Sequence, residues 1–133
     1  MVFLLILWMI FIFIVTCTED VHALFGNGDI SFTFTWTPDW DNFFQLYPLV
    51  DASILELLGH FIMFFVLTCL LMAIFKEYRH VIVAANTYAI FTEILQVFFG
   101  RGADIYDVGA NVIGIVVAVG VGCLLKELSY EVR

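Results

Sequence analysis

The chain has 133 residues, 63% of them hydrophobic, and a mean hydropathy of +1.04. A soluble domain of this length cannot hide so much apolar surface, whereas an integral membrane protein can, because lipid takes the place of a core. The formal net charge of -8 excludes a nucleic-acid reader, which needs a basic patch, and Cys17, Cys69 and Cys123 have the spacing of neither a disulfide framework nor a zinc site.

In chain order, the first apolar segment covers residues 2–17. No Lys or Arg precedes it and no Ala-x-Ala site follows, so a retained helix is expected rather than a cleaved signal peptide. Ile14-Val15-Thr16-Cys17 is faintly like a lipoprotein lipobox, but Thr before the Cys is atypical and a basic start is missing. Residues 18–53 form a long connection. Gly26-Asn27-Gly28-Asp29 is a turn signal, and Ser31 to Trp36 alternates polar and apolar residues as a strand would. Trp36, Trp40, Phe43, Phe44 and Tyr47 suit an aromatic belt at the membrane interface. The connection either seals the bundle from outside or forms a lid over a site.

Three more apolar segments follow, at 54–75, 81–99 and 106–125, each near the roughly 20 residues a helix needs to cross the hydrocarbon. The expected fold is all-α: one integral membrane domain over 1–133, a four-helix transmembrane bundle with a long aromatic external loop between helices 1 and 2. Lys76, Arg79, Lys126 and Arg133 fall on one side, which puts both termini in the cytoplasm. Arg101 and the acidic residues Glu19, Asp20, Asp29, Asp39, Asp41 and Asp51 are then external.

A polar group inside a bilayer is costly, so its default reading is functional, with a partner. His60, Glu93 and Asn111 each lie five or six residues inside the outer end of a segment, roughly 8–9 Å deep at helical rise. Glu93 and Gln96 share a helix face, as do Asp104 and Asp107, and Asp107 and Asn111. Arg101 sits between Gly100 and Gly102 in a short external turn. Each residue also has a plainer reading: a headgroup anchor or a bridge to Asp104 for Arg101, an interhelical hydrogen bond for His60, an N-terminal cap for Asp104 and Asp107. The matching depths favour a joint site. Ala110, Gly114, Ala118 and Gly122 recur every fourth residue, a stripe that lets helices approach closely and should turn this face into the bundle.

Taken in order, Gly59-His60-Phe61, Glu93-x-x-Gln96, Gly100-Arg101-x-x-Asp104 and Asp107-x-x-x-Asn111-x-x-Gly114 resemble the VanZ-like membrane proteins. The resemblance covers about Leu58 to Gly122 and leaves the aromatic connection outside. It implies a multi-pass protein of the bacterial plasma membrane linked to the cell envelope. The founding member is associated with resistance to the glycopeptide teicoplanin. It implies no mechanism.

Three functions fit these residues. In a binding protein, Arg101 pairs with an anionic group while His60, Glu93, Gln96, Asp104, Asp107 and Asn111 orient the rest. Its partners would be membrane lipids, a lipid-linked wall precursor or a lipoglycopeptide, with oligomers allowed. In an enzyme acting on an envelope lipid, His60 or Glu93 is the acid or base, and Asp104, Asp107 and Asn111 are weak candidates for Mg²⁺ or Ca²⁺ ligands. No nucleophile motif, His-Glu-x-x-His or P-loop is present, which ranks the enzyme below the binder and implies no cofactor. In a small proton-linked transporter Glu93 and His60 relay protons, but the inner halves of the segments are apolar apart from Thr68 and Thr87. The plainest alternative is a polar cluster that only fixes helix register.

Overall fold

A computed structural model describes residues 1–38, 40, 46, 48, 52–102 and 104–131, without the side chains of 130 and 131. Among them are five helices and no strand: α1 Val2–Cys17, α2 Val21–Asn27, α3 Ile54–Met72, α4 Tyr78–Phe98 and α5 Ile105–Glu131. The all-α expectation therefore stands, with one helix more. Asp39, Asp41, Phe43, Phe44, Tyr47, Asp51 and Arg133 lie outside the described residues, so the parts of the aromatic-belt and charge-asymmetry expectations that use them do too.

The extra helix has local causes. Asp20 accepts from the backbone N–H groups of His22 (2.8 Å) and Ala23 (3.0 Å), capping α2, and Gly28 closes it at φ 78°, a conformation glycine adopts without steric cost. The turn signal at Gly26–Asp29 is thus the stop of a helix. The chain bends by 120° between α1 and α2.

The strand-like stretch at 31–36 is not part of a ladder. Its backbone is spent elsewhere: Glu19 N–H donates to the Ser31 carbonyl (2.9 Å), and Thr35 N–H to the carbonyl of Phe98 at the end of α4 (2.8 Å). Phe32 packs on Phe13 and Phe99, and Phe34 on Phe98 and Phe99. The alternation reflects one side chain in two reaching an aromatic cluster on helix ends, so the segment packs across the ends of α1 and α4.

The later boundaries also move. α3 stops at Met72, short of the expected Phe75, and α4 starts at Tyr78 rather than Val81, with Glu77 at its cap position. α5 continues past Leu125 to Glu131. At about 1.5 Å per residue its 27 residues span about 40 Å, longer than the hydrocarbon layer, so its charged last turns at Lys126 and Glu127 can leave lipid.

By length and composition three helices, α3, α4 and α5, can cross a membrane, or four spans if the bent α1–α2 pair counts as one. α1 has 16 residues, about 24 Å, and is short of a full crossing alone.

α3 and α5 pack closest. A Cβ on Gly114 would overlap the Phe61 carbonyl oxygen and lie 3.2 Å from the Phe65 nitrogen, so only glycine permits this approach. The small-residue stripe thus serves a contact within the chain. Around it Ile12, Phe64, Leu67, Val81, Ala85 and Ile115 form the core. α1 is tied on by two hydrogen bonds: Tyr88 Oη of α4 donates to the Met9 carbonyl (2.6 Å), and Trp8 Nε1 donates to the Met63 carbonyl of α3 (3.0 Å). Phe3, Val83, Ile113 and Val116 stay exposed, as side chains facing lipid do. At the end of the bundle holding the α3–α4 turn, Lys126 Nζ lies 5.9 Å from the Tyr78 ring.

Candidate functional site

The depth argument requires His60, Glu93 and Asn111 to meet, and they do. The N-terminal part of α3, the C-terminal part of α4 and the N-terminal part of α5 lie at one end of the bundle. Asn111 bridges the other two. Its Nδ2 donates to Glu93 Oε1 at 2.8 Å, and its Oδ1 lies 3.1 Å from His60 Nδ1. An amide oxygen can only accept, so His60 donates from Nδ1. The other ring nitrogen, Nε2, then faces Asp107 Oδ2 at 3.8 Å. His60 Nδ1 is also 3.5 Å from Glu93 Oε1. Asn111 is fully buried, Glu93 is 1% exposed and His60 7%. Four of the seven expected residues thus form one network across three helices.

Gln96 and Arg101 turn toward α1 instead. Gln96 Nε2 donates to the Thr16 carbonyl (3.2 Å). Arg101 Nη1 donates to the carbonyls of Val15 and Thr18, both at 3.3 Å, and Nη2 lies 3.8 Å from Glu56 Oε1. These are orphan carbonyls of a helix C-terminus, which a guanidinium satisfies well. Arg101 is therefore a clamp on α1 and not a loose surface side chain. Asp104 behaves as the capping reading had it: its Oδ1 accepts from Tyr106 N–H (2.9 Å) at the start of α5.

Among the described residues, two buried acceptors in this region have no hydrogen-bond partner, Glu93 Oε2 and Gln96 Oε1. Among the described residues no group of three or more His, Cys, Asp or Glu is placed to hold a metal ion. Asn111 directs its oxygen at His60, and Asp104 directs one at its own helix.

A groove of about 870 Å³ runs between α1, α2 and the first half of α3. That lies within the roughly 300–1,000 Å³ of small-molecule sites. Trp8, Phe11, Ile62 and Met63 line its deep part, and Glu19, Asp20, His22, Glu56, His60 and Arg101 its other end. His60 belongs both to the network and to the groove wall. Sequence reasoning missed the acidic wall as part of the site. One signal was present: Glu56 lies four residues before His60 and so shares its helix face. The α1 carbonyls had no such signal, because any residue carries a carbonyl.

A family model described as VanZ/LLP1 matches residues 1–126. The match takes in the first helix and the aromatic connection, which the motifs alone had left outside. The chain is also similar to the uncharacterized membrane protein YwnJ of Bacillus subtilis (strain 168), 32% identical over 127 residues, which is 93% of this chain and 91% of that protein. No solved structure is significantly similar. With α3–α5 apolar enough to span a bilayer and a family match over nearly its whole length, the chain belongs to the VanZ/LLP1 family and is a membrane protein.

Proposed function

We propose that this protein binds an amphiphilic envelope ligand in the groove between α1, α2 and α3, with the ligand's polar head against His60 and its chain along Trp8 and Phe11. The observation that carries this reading is the groove itself: about 870 Å³, apolar at depth, polar at the other end, with a buried three-helix network behind one of its wall residues. A packing cluster needs no such groove. A lipoglycopeptide has the required two-part chemistry, and the glycopeptide-resistance link implied by the family resemblance would follow from capture of such a molecule. Orientation is part of the proposal. The end carrying Lys76, Arg79 and Lys126 is cytoplasmic, and the groove opens on the outer leaflet of the bacterial plasma membrane in one integral membrane domain.

The test is native mass spectrometry of the chain extracted with its own lipid. Ile62 lines the groove and is 46% exposed, so Ile62→Trp fills the space with little strain on the core. Wild type should retain a bound amphiphile and Ile62→Trp should lose it. Equal retention in both places the ligand elsewhere.

An enzyme acting on the bound lipid is the second reading, because His60 alone among the network residues lines the groove. His60→Gln keeps a hydrogen-bonding side chain. If it binds the amphiphile like wild type yet a membrane product disappears, the enzyme reading prevails.

A further inference from the structure

The head group of this ligand can be assigned a chemical class from the charges around it, an assignment that rests on the groove being the ligand site. Arg101 alone would suggest an anion. The structure surrounds it differently. Its Nη1 is held by the Val15 and Thr18 carbonyls, and its Nη2 faces Glu56 at 3.8 Å. Around that end of the groove stand three carboxylates, Glu19, Asp20 and Glu56, with one guanidinium and His22, and Glu19 Oε2 accepts from Thr33 Oγ1 (3.1 Å). Backbone N–H groups of Ala23 and His22 hold the Asp20 carboxyl below its ordinary range, so it stays ionised. Behind the wall, Glu93 Oε2 and Gln96 Oε1 are buried oxygens without a hydrogen-bond partner among the described residues, and neither residue lines the groove itself. His60 and Thr16 both line the groove. Carboxylates outnumber the guanidinium at this end, so the rim is short of positive charge. A phosphate would bring negative charge to an acidic rim.

We propose that the groove takes a single-chain amphiphile with an ammonium head, the chain along Trp8, Phe11 and Ile62 and the head among Glu19, Glu56 and His60. Apolar depth selects the chain, and charge complementarity selects the head.

The experiment compares three ligands of equal chain and different head. The full chain carries Trp36→Phe and Trp40→Phe, leaving Trp8 in the groove wall as the one tryptophan of three. It is placed in phosphatidylcholine nanodiscs and titrated with dodecylamine, dodecyl maltoside and dodecyl phosphate, with empty nanodiscs as the blank. Dodecylamine should give a saturable Trp8 response at an affinity about five- to tenfold above that of dodecyl phosphate, as two partly exposed ion pairs allow. Glu19→Gln with Glu56→Gln should reduce that preference to about twofold or less. Tighter or equal binding of dodecyl phosphate overturns the ammonium head and leaves the groove a ligand site. A preference that survives the double substitution also overturns the head assignment. The absence of a saturable response to any of the three overturns the groove as the site, and the proposed function with it.

Discussion

At the scale of single residues, Asn111 matters most to the network. It is fully buried, and its amide supplies the one donor and the one acceptor that let His60 and Glu93 sit together. Asn111→Leu removes both and leaves His60 and Glu93 with only their longer 3.5 Å contact to each other. It should destabilise the protein by about 1–3 kcal/mol, read as a lower midpoint of thermal unfolding in detergent. Arg101 tests the clamp. Arg101→Lys keeps the charge but loses the planar fork that reaches two carbonyls, and should cost about 1 kcal/mol. Its specific signature is at Cys17, fully buried beside those carbonyls: maleimide labelling of Cys17 should rise in Arg101→Ala while Cys69 and Cys123 keep their wild-type rates. Unchanged labelling of Cys17 would remove the clamp from the account. The meeting of His60, Glu93 and Asn111 was legible because depth follows from counting along helices whose ends are marked by charge and glycine. The partners of Gln96 and Arg101 were not legible, because they are main-chain carbonyls, which leave no mark in a sequence.

At the scale of elements, the α3–α5 contact positions the network, since His60 and Asn111 lie on those two helices near the point where Gly114 meets the Phe61 carbonyl. Gly114→Ala should force the helices apart against rigid backbone and cost about 1–3 kcal/mol. Gly120 is the control, having nothing within 4 Å of where a Cβ would stand. Gly120→Ala should leave the unfolding midpoint unchanged or raise it by the equivalent of about 0.5–1 kcal/mol, through helix propensity alone. Equal effects at the two glycines would show that close approach at Gly114 does not hold the pair. The long apolar helices were readable from hydropathy. The seven-residue α2 was not, because at that length apolar content carries little signal and its evidence lay in the Asp20 cap and the Gly28 stop. The alternation at 31–36 was real, but its apolar residues face helix ends rather than a second strand, and periodicity cannot tell those partners apart.

At the scale of the whole molecule, charge and shape point the same way. Lys76, Arg79 and Lys126 gather at one end, and the acidic part of the groove lies toward the other. Reporter fusions placed after Phe75 and after the last residue should both read cytoplasmic; a periplasmic signal from either would invert the groove to the inner leaflet. The groove was the feature least legible in the sequence, because its walls come from three helices and its volume depends on the 120° bend after α1. It is also where the account stands or falls. The most direct measurement is a structure determined from protein carried in its native lipid throughout purification. An elongated density is expected along Trp8 and Phe11, ending in a head group within hydrogen-bond reach of His60 (about 3 Å). A groove without such density, or one closed by side chains with lipid bound only on the outer faces of the helices, would contradict it.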